Sequence, residues 1–228
     1  MNDQLVRWLD EVEFWFFDLD GTLVASTPYR QVLRLISRLV GVPYSQLLRR
    51  YRQEWRGLDE AREYHYSLAC NEGVRDHIKV AYGNYAADNH TPTVIPGSFE
   101  CLEALREMKK FLVCYTRGIK SWQEIKLQVT GLTPFFDDIC IVKKKDVEQM
   151  RTQALRVCNG SDFIMIGNTF TDDIAPAKGI AKGRIYVTHD PHDLNTDRPH
   201  SLSDDILVID TLADINPTIS EKKGGLHD

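Results

Sequence analysis

Six apolar runs stand out along the chain: Phe14-Trp15-Phe16-Phe17, Phe111-Leu112-Val113-Cys114-Tyr115, Ile139-Cys140-Ile141-Val142, Phe163-Ile164-Met165-Ile166, Ile185-Tyr186-Val187 and Ile206-Leu207-Val208-Ile209. Each is strand-length and rich in β formers, and continuous rather than alternating apolar character is that of a strand buried on both faces. Between the later runs, residues 98–110, 120–130, 147–157 and 173–180 read as helices. This alternation predicts an α/β fold, a parallel sheet covered on both faces. Ser98 is expected to cap the first of these helices, Gly131 to close the second as its C′ residue, and Asp146 to cap the third.

Residues 27–95 break that rhythm. No strand run occurs there, and the apolar positions follow a helical period: Val32-Leu33, Leu35-Ile36 and Leu39-Val40 form one stripe after Pro28, a residue suited to a first helical turn. Three more helices are expected over 44–55, 59–70 and 74–87, with breaks at Gly57 and Gly73. The expected organisation is therefore a core of residues 1–26 and 96–228 with a helical insertion at 27–95. Thr91-Pro92 and Pro96-Gly97 mark the return to the core, and the last dozen residues read as a frayed tail.

Composition narrows the function classes. A chain of 228 residues with a net charge of −5 lacks the basic balance of a general nucleic-acid binder. No N-terminal stretch has the pattern of a secretory signal, and no apolar run approaches the ~20 residues that span a bilayer. The expectation is a cytoplasmic protein with no nucleic-acid or membrane partner; oligomeric state is not readable. The five cysteines, Cys70, Cys101, Cys114, Cys140 and Cys158, contain no Cys-x-x-Cys pair and read as reduced, mostly buried hydrophobes. His189-Asp190-Pro191-His192-Asp193 has the look of a ligand cluster, but Pro191 makes it a loop.

Candidate chemistry gathers where strand runs end. Asp18-Leu19-Asp20-Gly21-Thr22-Leu23 follows the first run and places two carboxylates at the edge of the sheet where α/β proteins bind ligands. Two such acids repel unless neutralised, and a divalent cation such as Mg²⁺ is the simplest neutraliser. Asp18 can then attack phosphorus while Asp20 moves protons; Gly21 allows a sharp turn and Thr22 can brace it by its hydroxyl. Thr116-Arg117-Gly118, after the second run, offers a hydroxyl and turn N–H groups to phosphate oxygens. Lys143-Lys144-Lys145 follows the third. Lys145, nearest the next helix, is taken as the cation facing the nucleophile and the phosphoryl group, with Lys144 the alternative. Gly167-Asn168-Thr169-Phe170-Thr171-Asp172-Asp173, after the fourth, supplies a further oxygen ligand to a hard-cation site with Asp18 and the Asp20 carbonyl.

These four motifs, in this order, resemble the haloacid dehalogenase-like hydrolase superfamily over nearly the whole chain. Asp18 to Leu23 is similar to its nucleophile motif, Thr116 to its second-motif hydroxyl, Lys145 to its third-motif lysine, and Gly167 to Asp173 to its acidic metal loop. The resemblance implies a Rossmann-like core, Mg²⁺ dependence, an aspartyl-phosphate intermediate on Asp18, Asp20 as general acid and base, and Asp173 rather than Asp172 as metal ligand. The 27–95 insertion is similar to the helical C1 cap of that family, and Ser26-x-Pro28 resembles its phosphoglycolate-phosphatase-like branch. One departure is Gly167-Asn168, where the family's fourth motif usually begins Gly-Asp; it removes a negative charge from beside the metal. An acid at Asp20 is what phosphatases and phosphomutases of the family carry and dehalogenases usually lack. The implied activity is phosphatase action on a small phosphorylated metabolite, with phosphotransferase or phosphomutase action, or a catalytically weak binding role, as alternatives. Substrate choice would lie with the arginine-rich insertion (Arg30, Arg34, Arg38, Arg49, Arg50, Arg52, Arg56, Arg62), although such spacing also suits a solvent-facing stripe.

Overall fold

The apolar runs become six parallel strands: β1 (Phe14–Phe17), β2 (Phe111–Arg117), β3 (Asp138–Val142), β4 (Phe163–Gly167), β5 (Gly183–Val187) and β6 (Ile206–Ile209). They form one sheet in the order β3-β2-β1-β4-β5-β6. This is a Rossmann-like order, in which the chain winds outward to one side from β1 and then to the other from β4. The computed structural model describes residues 2–25, 34, 37, 38, 41–46, 49, 94–118, 120–188 and 202–215. Most of the expected helical insertion, Cys70, the His189–Asp193 loop and the tail lie outside the described residues.

Burial explains the continuous apolar runs. Trp15, Phe16 and Phe17 have no solvent exposure, and burying each stabilises the fold by about 2–3 kcal/mol of transfer free energy. Side chains alternate between faces, so Phe16, Val113, Tyr115, Phe163 and Met165 share one face. They pack there with Met150, Ala154 and Cys158, which recur every fourth residue along helix α4 (Val147–Cys158). Asp146 caps α4 as expected, its carboxylate accepting from the Gln149 N–H at 2.9 Å.

Helix ends differ from expectation in places. Helix α2 (Ser98–Glu107) starts after Gly97, which is the cap residue; Ser98 lies inside the first turn and its hydroxyl donates instead to the Leu23 carbonyl at 3.3 Å. Helix α3 (Lys120–Val129) closes on Gly131 as expected, with Leu132 N–H bonded to Leu127 and Gly131 N–H to Gln128, the paired bonds of a Schellman motif. An unexpected helix, α1 (Asp3–Glu11), precedes β1; Asn2 caps it and Leu5, Trp8 and Leu9 are its buried positions. The helix expected over 173–180 is not formed. A single π-helical turn covers Phe170–Ile174, followed by turns, because Pro176 has no N–H to continue a helical ladder.

The chain divides into two compact units, one of residues 1–24, 94–117 and 134–228, the other of 25–93 and 118–133. The sheet belongs to the first. In the second, Arg34, Arg38 and Arg49 are exposed, and the Arg34 guanidinium lies over the Tyr44 ring. Among the described residues no helix is long and apolar enough to cross a membrane.

Candidate active site

Register brings the four motifs to one edge. Phe17 is paired with Cys114 on one side and Ile166 on the other, so β1, β2 and β4 release Asp18, Thr116 and Gly167 at nearly the same level. This is the switch point between β1 and β4, where the two halves of the sheet diverge and leave a crevice. The Asp18 N–H extends the ladder one step, donating to Ile166 O at 2.9 Å. The chain then turns: Gly21 adopts φ +83°, a left-handed conformation that favours glycine, and its N–H bonds the Val24 carbonyl at 2.8 Å.

Thr22 ties this turn to the fourth motif. Its hydroxyl is 3.2 Å from both Asp18 Oδ2 and Asn168 Oδ1, and it accepts from the Asn168 N–H at 3.0 Å. A Cβ on Gly21 would come within 2.4 Å of Asn168 Nδ2, so glycine lets the first and fourth loops touch. Asn168, the departure from the usual Gly-Asp, therefore braces the Asp18–Thr22 loop. Gly167 does the same for Asp173: a Cβ there would stand 2.4 Å from Asp173 Cγ. The Asp173 side chain folds back over that bare backbone, and its Oδ2 accepts from the Thr169 N–H at 2.9 Å.

Of the three consecutive lysines, Lys143 and Lys144 are exposed and Lys145 is buried. Its ammonium donates to Asp18 Oδ1 and to Asp173 Oδ1 at 2.6 Å, joining the end of β1 to the turn that follows β4. All three groups are almost out of solvent, so their charges are strongly felt. Burial pushes the Asp18 carboxyl above its ordinary range against the pull of Lys145. Burial, and then the like charge of Asp18, push Asp173 up to about 7. Burial alone would lower Lys145, but Asp173 and Asp18 outweigh it and hold the ammonium protonated. Two carboxylates thus share one cation, and the site carries surplus negative charge.

That surplus fits a hard dication, since Asp18 and Asp173 are oxygen donors short of countercharge. Among the described residues no three His, Cys, Asp or Glu side chains converge on one point. Side-chain ligation would thus come from Asp18 and Asp173, with Asp20 contributing its carbonyl.

The remaining expected residues lie as follows. Thr116 is buried near the end of β2. Arg117, at the end of β2, pairs with Asp172, Nη2 to Oδ2 3.0 Å, both side chains partly exposed. Gly118 falls in the second unit beside the Gln123 side chain. The four described cysteines are free and buried; burial pushes the Cys140 thiol up to about 11 and Cys158 up to about 12, away from nucleophilic use.

Two participants escaped the sequence reading. Arg184 is buried within β5, donating to the Ile174 carbonyl at 3.0 Å and to Asp205 Oδ2 at 2.6 Å. It anchors the turn that carries Asp173; standing just before the run Ile185-Tyr186-Val187, it carried no sequence sign of burial. Tyr115 lies beneath Lys145, whose Nζ is 5.4 Å from the ring centroid; no sequence pattern marks that contact.

Comparison with known proteins gives the same direction. Among solved structures, YfnB of Bacillus subtilis, described as a HAD-hydrolase and bound to magnesium, is 19% identical, with a TM-score of 0.63 over 90% of this chain and 97% of that one. A HAD phosphatase of Thermococcus onnurineus is 22% identical, with a TM-score of 0.62 over 91% and 98%. An L-2-haloacid dehalogenase of Xanthobacter autotrophicus is 15% identical, with a TM-score of 0.54 over 95% and 100%. At these identities the likeness is one of fold. No curated protein matches the chain in sequence. The family of haloacid dehalogenase-like hydrolases matches residues 15–180, most of the chain, and the chain therefore belongs to that family.

Proposed function

We propose that this hydrolase is a Mg²⁺-dependent phosphatase that cleaves a small phosphorylated metabolite through an aspartyl phosphate on Asp18. The observation that carries the reading is the buried Asp18–Lys145–Asp173 charge cluster at the switch point of the sheet. Bound Mg²⁺, held by Asp18, Asp173 and the Asp20 carbonyl, would neutralise the phosphoryl oxygens and let an anionic nucleophile approach an anionic substrate.

The chain's own groups do the rest. Thr22 and Lys145 hold the two oxygens of Asp18 and fix the carboxylate's direction. Asp18 attacks phosphorus, the bond to the leaving oxygen breaks, and Asp20 delivers the proton that oxygen needs. Asp20 then takes a proton from water as it attacks the aspartyl phosphate, which frees phosphate and restores Asp18. Lys145 and the Thr116 hydroxyl balance charge on the phosphoryl group as it transfers. Asp20 favours phosphate esters over carbon–halogen substrates, because an alkoxide leaving group needs a proton and a halide does not. Substrate contacts beyond the phosphoryl group are assigned to the helical insertion. Neither a nucleic acid nor a membrane is a partner in this reading.

The test is phosphate release from a panel of phosphorylated metabolites, with Mg²⁺ and with chelator, and phosphorus NMR of the products. Mg²⁺-dependent inorganic phosphate is the expected product. Halide release from 2-haloacids with no phosphate release would overturn the reading, and phosphate passed to a second hydroxyl would replace hydrolysis with transfer.

A further inference from the structure

Lys145 meets a third neighbour besides its two carboxylates. The Tyr115 ring is buried without solvent exposure, in one core cluster with Phe16, Val113, Cys140 and Met150, its centroid 6.2 Å from that of the Phe16 ring, and its strand is paired to β1 and β3 on either side. That ring is therefore a rigid surface, and the Lys145 ammonium lies over it at 5.4 Å from the centroid. A cation over an aromatic face is attracted by the ring quadrupole, most strongly where water is absent. The Tyr115 hydroxyl is buried and has no hydrogen-bond partner among the described residues. Buried tyrosines ordinarily use that hydroxyl, and an unpaired one costs stability. What Tyr115 contributes at this place is its ring.

We propose that Tyr115 is a positioning residue for catalysis, its ring face holding the Lys145 ammonium in place between Asp18 and Asp173. Two carboxylates set the ammonium's position along the line between them, and the ring sets its height above the core. The kinetic consequence rests on the phosphatase reading, because it assumes that Lys145 balances charge in phosphoryl transfer.

The experiment compares wild type, Tyr115→Phe, Tyr115→Leu and Phe163→Leu. Phe163 is in the same buried cluster at the opposite, N-terminal end of β4, so its truncation is a matched control for lost packing. Each protein is assayed for kcat and KM, and the Lys145 side-chain methylene is followed by NMR with labelled lysine, assigned through Lys145→Arg. Tyr115→Phe is expected to keep kcat and the upfield ring-current shift and to melt no lower than wild type. Tyr115→Leu is expected to lose the shift and about ten-fold in kcat, with a smaller change in KM, while Phe163→Leu stays within about two-fold of wild type. Tyr115→Met serves if the leucine variant does not fold. A folded Tyr115→Leu with wild-type kcat and the Lys145 signal still at its wild-type upfield position would overturn the proposal, as would a Phe variant as impaired as the Leu variant. If wild type turns over no phosphate ester, the phosphatase reading fails instead, and the Lys145 shift still decides whether Tyr115 positions the ammonium.

Discussion

Asp173 illustrates how single residues set the properties of this site. Its carboxyl is pushed up to about 7 by burial and by Asp18, from an ordinary 3.8. A folded-state value above the unfolded one means that the folded protein holds the proton more tightly, so metal-free stability falls as pH rises from 3.8 towards 7 and is regained on acidification through that window. In chelator, wild type should melt a few degrees higher at about pH 5 than at about pH 8. Asp173→Asn should flatten that slope and melt higher than wild type near pH 8 while losing about 100-fold or more in activity. Scanning calorimetry at the two pH values checks the first part; a variant with the wild-type slope would remove Asp173 as its source. At this scale the meeting of Asp18, Lys145 and Asp173 was legible, because acids and a lysine that follow strand runs carry their charge openly. The sequence did not show that Gly167 exists to admit the Asp173 side chain, that Arg117 pairs with Asp172, or that Tyr115 underlies Lys145. Those contacts join residues far apart in the chain and leave no periodic trace.

Strands were more legible than helix ends. Each apolar run became a strand because burial on both faces demands an unbroken apolar stretch. Helix boundaries were less legible, since Ser98 has a good capping side chain but Gly97 takes the cap, and only a π-helical turn over Phe170–Ile174 forms ahead of Pro176. Helix α1 is short and mostly polar, with Leu5, Trp8, Leu9 and Val12 as its only apolar stripe at a helical period, a weaker signal than the continuous run that follows. One element-scale device is testable. Arg184 links β5, the Asp173 turn and Asp205 ahead of β6. Arg184→Met should cost about 3 kcal/mol, the lower end for a broken buried pair because Asp205 is part exposed. Burial raises the Asp205 carboxyl, but hydrogen bonds from Ser203 and Arg184 outweigh it and hold it below its ordinary 3.8. A lowered folded-state value means that this contribution is present above pH 3.8 and is lost as pH falls below it. The penalty of Arg184→Met in denaturant titration should accordingly shrink in acid; an equal penalty at neutral and strongly acidic pH would assign it to packing alone.

For the molecule as a whole, the strand order creates a crevice where β1 and β4 part, and the sequence places the candidate chemistry at the ends of the strands around it. The fold accounts for why Asp18, Lys145 and Asp173 meet, and membership of the haloacid dehalogenase-like hydrolases follows from the match over 15–180. Fold alone does not choose between hydrolysis of phosphate esters and of carbon–halogen bonds, because both activities occur among proteins of this shape. Phosphatase action through Asp18 requires that its carboxylate carry the phosphoryl group during turnover, and acid-quenched mass spectrometry of the enzyme turning over a phosphate ester in Mg²⁺, beside Asp18→Asn, reads that adduct. The expected result is a phosphoryl adduct on the peptide carrying Asp18, absent with its turnover in the folded Asn variant. Full turnover by Asp18→Asn, or wild-type turnover with the adduct on another residue, would contradict it.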